Sequence, residues 1–532
     1  MKGAEIVDEG PAPVASAPLP PPGPRGSELV FGIVAAVRGD QDIVCQALEE
    51  ALGSVNYSCK VIRLSAFLRE IKAWSTKLRD APEDDRINSY MDAGNDFRKT
   101  IESGDALAVA AIGDIQEERS LRNPEDLANL PLPRQAYILR SLKHPKEVDT
   151  MRRVYGNGFI LIAVYSPRDT RLANLSRRIA ESAHSSRSAE FRERAEHLLK
   201  RDEFEAGIRF GQNVRDTFPK ADLFVDISDS VRIRMDLTRF VELYFGYPFH
   251  TPSREEFAMF HAEAAALRSA ALARQVGAVI TTDEGDVIAV GTNEVPKAGG
   301  GQYWHGDVPD SRDFRLGYET SDRLKRLLLA DILDRLQKAD VLDKRKVGLS
   351  IDKLVGELIG TSDDPGVVRD SQLMDLIEFA RPMHAEMAAL LDSARRGVSI
   401  RGSVLYTTTF PCHDCARHVV AAGIKRIVYI HPYPKSHAAE LYPDSLSIDA
   451  AAVLSSQIRC EPFIGIAPRR YIDLFTMMPR KREDGGVIVW ERVNALPRFF
   501  ADDPAYLQRE NEELQSLWSK AEVKKVEFVE GA

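Results

Sequence analysis

Cysteine is scarce in this chain: five residues, Cys45, Cys59, Cys412, Cys415 and Cys460, in 532 positions. So few exclude a disulfide scaffold and fit a reducing compartment, the cytoplasm, where a Cys-x-x-Cys pair reads as metal or redox chemistry. Long apolar runs are missing too. The best, 107–112 and 159–165, fall far short of the ~18 residues that span a bilayer, so no membrane partner is expected. Basic charge is not in excess: 71 Lys and Arg stand against 80 Asp and Glu, a net charge of -9. A constitutive polynucleotide binder normally carries the opposite balance. The opening stretch has neither a basic start nor an apolar core, so no signal peptide is expected. What remains is an ordinary globular mix, 44% hydrophobic and 28% charged, which excludes a wholly disordered or coiled-coil chain.

Residues 1–27 hold seven prolines among Ala, Ser and Gly, the composition of a disordered tail. From 28 to 247, β-branched apolar runs at 29–37, 60–64, 106–112, 136–139, 159–165 and 222–226 read as strands, with helical patterns between them. That alternation predicts a parallel sheet wrapped by helices. Pro248 and Pro252 mark a boundary. Beyond it the order is helix, two strands paired as a hairpin across Asp283-Glu284-Gly285, helix, strand, helix, strand, a mixed sheet covered by helices from 248 to 500. A helical insertion at about 297–378 interrupts this second domain, placed to act as a lid over the helix expected at 384–396. The last stretch, 501–532, reads as a charged helical tail.

The densest chemistry lies in Met383-His384-Ala385-Glu386 and in Pro411-Cys412-His413-Asp414-Cys415. His384, Cys412 and Cys415 supply three ligands for Zn2+. The gap between them holds one helix and one strand, so the starts of two neighbouring helices meet at one sheet edge. A helix N-terminus favours thiolates through its dipole. Three protein ligands leave a fourth position for water, the catalytic arrangement. Glu386 is not needed as a ligand and is placed to carry protons at that water. A structural zinc ribbon would need a second Cys-x-x-Cys, which the chain lacks. A redox pair needs no His-x-Glu. His261-Ala262-Glu263 repeats the tripeptide, but no Pro-Cys-x-x-Cys follows one helix and one strand later, so it reads as ordinary helix. His-x-Glu with Pro-Cys-x-x-Cys resembles the zinc deaminases, in which activated water attacks C4 of cytosine.

The hairpin adds to that resemblance. Arg274 to Ile280 (RQVGAVI) and Gly291 to Pro296 (GTNEVP) are similar to the first two strands of deoxycytidylate deaminases. The resemblance implies that Asn293 binds the sugar hydroxyl. Glu294 stands where that family has Gly, so the phosphate side departs from its pattern. Tyr433 is a candidate wall for the base and Lys435 a candidate phosphate partner; both equally fit a surface turn. The first domain resembles P-loop kinases: Gly32, Arg38, Gly39 and Asp40 fall where a strand opens into a helix, the place of a phosphate-cradling loop. The Lys and Ser/Thr that close such a loop are missing, which removes what phosphoryl transfer needs. Arg168, Arg171, Arg177 and Arg178 resemble a kinase lid, and they equally fit a solvated helix face.

Together these parts resemble the bacterial anti-phage deoxycytidine nucleotide deaminases. The resemblance implies an α/β protein with an N-terminal P-loop kinase-like parallel sheet domain and a C-terminal α/β/α cytidine-deaminase-like domain. It implies hydrolysis of dCTP and dCMP to the deoxyuridine forms, and depletion of dCTP during phage infection. It further implies a homo-oligomer, and a nucleotide, RNA or protein regulator acting through the first domain. Two other readings stay open: a nucleic-acid-editing deaminase, and a nucleotide-sensing platform with the deaminase as its output.

Overall fold

The computed structural model describes residues 28–37, 39–123, 130–205, 207–343, 348–361, 364–448, 456–499 and 505–529. The Pro-rich stretch 1–27 and Arg38 lie outside the described residues. The first sheet is built from β1 (Leu29–Ala35), β2 (Ser58–Arg63), β3 (Gln135–Arg140), β4 (Phe159–Tyr165) and β5 (Leu223–Asp226). They lie in the order β2-β3-β1-β4-β5 and all run parallel. β1 is central, with Phe31 opposite Ile138 on one side and Ile160 on the other. All seven of its residues are buried. A strand covered by helices on both faces has no need of polar alternation, which is why this run is apolar throughout.

The stretch 106–112, expected as a strand, is the start of the Ala106–Arg122 helix. Its first seven residues are all buried, so no polar face marks the helical period. Four of the first six are alanine, the strongest helix former, and that composition decides where periodicity does not.

The second sheet contains β6 (Gly277–Thr281), β7 (Val287–Thr292), β8 (Val404–Thr409), β9 (Arg426–His431), β10 (Leu446–Ile448) and β11 (Ile458–Pro462), in the order β10-β11-β9-β8-β6-β7. The β6–β7 hairpin and the β6–β8 pair are antiparallel; β8, β9, β11 and β10 run parallel. Two glycines set how closely helices approach this sheet. A Cβ on Gly277 would lie 1.9 Å from the Ala262 carbonyl oxygen, and one on Gly291 would lie 2.1 Å from that of Ala385. The Arg254–Ala266 and Ala385–Arg396 helices therefore rest directly on the hairpin backbone.

The chain then returns to the first sheet. β12 (Gly465–Ile466) pairs antiparallel with β5. Glu256 ties the two sheets: its carboxylate accepts from Arg239, at 2.7 and 2.8 Å, and from the Ile466 N–H at 2.9 Å. The closing segment, expected as a charged helical tail, holds the Ala505–Val523 helix, which packs on Ala106–Arg122. Tyr506, Leu514 and Leu517 give it an apolar face, and buried Glu510 meets Arg119 at 2.5 Å. Arg119 also meets Glu28 at 2.6 Å, so the first and last described elements share one buried charge cluster. Among the described residues no helix is long and apolar enough to cross a membrane.

Candidate active site

His384 is the residue that starts the Ala385–Arg396 helix, in extended backbone conformation. Its position is fixed from both sides. Ala385 lies against Gly291, and the preceding Met383 N–H donates to the Glu294 carbonyl at 3.0 Å. Cys412 starts the His413–Ala421 helix, and its sulfur accepts the Cys415 N–H at 3.4 Å. The helices begin beside each other because β8 delivers the chain to Pro411 next to the hairpin that seats His384.

The donors converge. His384 Nδ1 is 3.2 Å from Cys412 Sγ and 3.5 Å from Cys415 Sγ, and all three atoms lie within 4.8 Å of one another. Both cysteines are buried. Cys412 is held down to about 4 by the Cys415 thiol donating to it and by His384. Cys415 is pushed well above its ordinary value by that hydrogen bond and by burial. His384 is drawn up to about 9 by its bond to Cys412. An imidazole with two thiolates is a zinc donor set, and a divalent ion bound there would take the place of the protons these groups share. Glu386, in the first turn after His384, is buried, and burial raises its carboxyl above the usual range.

His384, Cys412 and Glu386 face a cavity of about 200 Å³. Its walls come from the hairpin (Arg274, Val276, Asn293), from His384, Glu386 and Cys412, from Tyr433, and from the insertion. Arg274 lies over the Tyr433 ring, 4.9 Å from its centroid. The Asn293 side chain accepts from the Val276 N–H at 2.7 Å and donates to the Arg274 carbonyl at 2.7 Å. Each end of that amide keeps one further hydrogen-bonding site. Lys435 lies off the cavity, more than half exposed and paired with Asp375 of the insertion. Glu294 turns its carboxylate away, accepting from the Ala270 N–H at 2.9 Å. Gly32, expected in the phosphate-type loop, lies inside β1, where its missing side chain makes room for the Phe159 ring. Gly39 and Asp40 do lie between β1 and the Gln41–Ser54 helix.

Sequence reasoning placed the insertion before the site but named none of its residues. Glu319, Ser321, Lys325 and Ile377 form the far wall of the cavity, and Lys325 is anchored by donating to the Met374 carbonyl at 2.9 Å. The helices Thr320–Lys338 and Ile351–Ile359 have their own small core around Leu329, Leu333 and Leu354. Within the insertion no motif marks which helical face meets the site.

Residues 252–431 match the family model described as the cytidine and deoxycytidylate deaminase zinc-binding region. The chain is 46% identical over 54 residues to the deoxycytidylate deaminase of Enterobacteria phage T2, covering 10% of this chain and 29% of that protein. It is 36% identical over 87 residues to ComE operon protein 2 of Bacillus subtilis, covering 16% and 42%. The chain thus spans less than half the length of either relative. A crystal structure of dCMP deaminase from cyanophage S-TIM5, in complex with dCMP and dUMP, aligns with 18% identity and a TM-score of 0.22, over 40% of this chain and 99% of that one. The close-set His384, Cys412 and Cys415, a zinc donor set, lie within the matched region.

Proposed function

We propose that this protein hydrolyses the 4-amino group of free deoxycytidine nucleotides, dCTP and dCMP, giving the deoxyuridine forms and ammonia. The observation that carries the reading is the convergence of His384, Cys412 and Cys415, with His384, Cys412 and the buried Glu386 carboxyl lining one small cavity. His384 Nδ1 and the two sulfurs are the groups that would hold zinc. Zinc bound there supplies a Lewis acid that makes water nucleophilic near neutral pH. Glu386 accepts the proton water loses and delivers it to N3 of the ring. After the oxygen has bonded to C4, the same carboxylate takes the hydroxyl proton to the departing nitrogen. The C4–N4 bond breaks and ammonia leaves. A carboxyl raised by burial suits a group that must both take and give protons.

Tyr433 and Val276 stand where the base would be clasped, and the free sites on the Asn293 amide are available to a sugar hydroxyl. Arg274, beside Tyr433, is the cation available to the phosphate side. A cavity partly walled by the insertion suits a free nucleotide better than a polymer, and the net negative charge points the same way. Chromatography of products from cytidine, dCMP, dCTP, CTP and cytosine-containing single-stranded DNA tests this. Uracil in the DNA and none from dCMP or dCTP would replace the reading by nucleic-acid editing.

The residues around the first sheet are proposed as a regulatory unit that gates the deaminase without transferring phosphate. Its support is the loop after β1, which lacks the Lys and Ser/Thr that such transfer uses. The defence role implied by the resemblance is proposed with it: loss of dCTP in infected cells, and fewer plaques, with the wild-type chain but not with Glu386→Gln.

A further inference from the structure

A second cavity, of about 520 Å³, opens at the carboxyl ends of β1, β2 and β3. In parallel sheets that end, where connections leave to opposite sides, is where ligands bind, and the volume falls in the roughly 300–1,000 Å³ of small-molecule sites. Among the described residues six cationic side chains line it against three aspartates, in a protein whose net charge is -9. Arg140 and Lys143 come from the end of β3, and Arg177 and Arg178 from the Arg168–Ser182 helix. The contacts of Arg177 and Arg178 with Glu181, at 3.7 and 3.9 Å, are long and more than half exposed. Tyr90, Leu68 and Leu107 give the cavity an apolar side.

One of the aspartates stands apart from the other two. Asp202, on the Arg192–Glu203 helix, is fully buried. Its carboxylate accepts the Val37 N–H at 2.7 Å, in the loop that follows β1. It also meets Lys143 Nζ at 2.8 Å, and Lys143 donates to the Ala35 carbonyl at 2.8 Å. A backbone N–H and an ammonium ahead of a helix are the partners a phosphate oxygen takes. Here the chain's own carboxylate takes them.

We propose that this cavity binds a phosphorylated nucleoside, and that Asp202 is an internal anion which the ligand's phosphate displaces from Val37 and Lys143. Arg140, Arg177 and Arg178 receive the rest of the phosphate charge, and the Tyr90 side receives the base. Displacement frees the Arg192–Glu203 helix from the loop after β1. This rests on the reading of the first sheet as a regulatory unit and is independent of deamination.

Titration calorimetry on the full chain, with ATP, GTP, dGTP and inorganic tripolyphosphate as probes, tests it. None of these is a cytosine nucleotide, so binding at the deaminase cavity does not enter. At least one nucleotide is expected to bind more tightly than tripolyphosphate, and Arg140→Ala with Arg177→Ala to weaken it at least tenfold. Asp202→Asn removes the competing charge and is expected to tighten binding about tenfold. Hydrogen exchange on the wild-type chain checks displacement without relying on that variant: saturating nucleotide should speed exchange in 195–205. No binding by any probe at millimolar concentration would overturn the proposal, as would slower or unchanged exchange in 195–205. If deamination of dCTP fails while nucleotide binding and the exchange change hold, only the deaminase reading falls.

Discussion

At the residue scale, two groups close together have separable duties. His384, Cys412 and Cys415 form the donor set, and Glu386 sits beside it with its carboxyl raised by burial. Glu386→Gln keeps the shape and removes the carboxylate proposed as the proton carrier. It is expected to retain zinc and to lose activity by the ~10²–10⁴-fold typical of general acid–base groups, and more where one group serves several steps. Metal analysis beside a rate assay reads both; a variant within tenfold of the parent would assign the proton to another group. Cys415→Ser should instead lose metal and activity together. These residues were legible in the sequence because each motif is local: the spacing within His-x-Glu and within Pro-Cys-x-x-Cys fixes neighbours along a single turn. Lys325 and Glu319 were not legible, because their approach depends on how two helices of the insertion pack.

At the element scale, the site is held by close backbone approach. Gly291 lets β7 touch the helix that begins at Ala385, one residue after His384. A methyl group there would press on the Ala385 carbonyl, with backbone on both sides and no flexible side chain to move. Overpacking of this kind typically costs ~1–3 kcal/mol. Gly291→Ala is therefore expected to lower the melting temperature and to weaken zinc retention under a chelator challenge, although it removes no ligand. Unchanged zinc retention would show that the hairpin does not seat the site helix. The hairpin itself could be read from the two short apolar runs on either side of its Asp-Glu-Gly turn. The Ala106–Arg122 helix could not be read by period, because a helix buried on all sides at its start shows none.

At the scale of the whole molecule, the two sheets are tied by elements distant in sequence. β12 joins β5, Glu256 bridges Arg239 and Ile466, and the last helix closes on the first described residue through Glu510, Arg119 and Glu28. A tail read from composition alone gives no hint of this, because the charges that make it look solvent-facing include the one that is buried. Arg119 is 2% exposed and lies between two buried carboxylates, so Glu510→Gln leaves it paired with Glu28 and replaces its charged hydrogen-bond acceptors in the closing helix by a neutral amide. Hydrogen bonds to a charged group are typically worth ~1.5–3 kcal/mol. Glu510→Gln is expected to lower the urea midpoint by a corresponding amount while leaving metal content unchanged. A midpoint equal to the wild type would mean that the closing helix adds nothing to the fold.

Zinc held by the donor cluster and used to deaminate free deoxycytidine nucleotides is the central proposal. It is tested by pairing zinc content with ammonia release from dCTP and dCMP on one preparation, before and after chelation and zinc restoration. About one zinc per chain is expected at this three-ligand site, with ammonia released one for one with the deoxyuridine nucleotide, loss of both on chelation and return of both with zinc. Ammonia release that persists in the zinc-free protein, or zinc-loaded protein that leaves both nucleotides intact, would refute it.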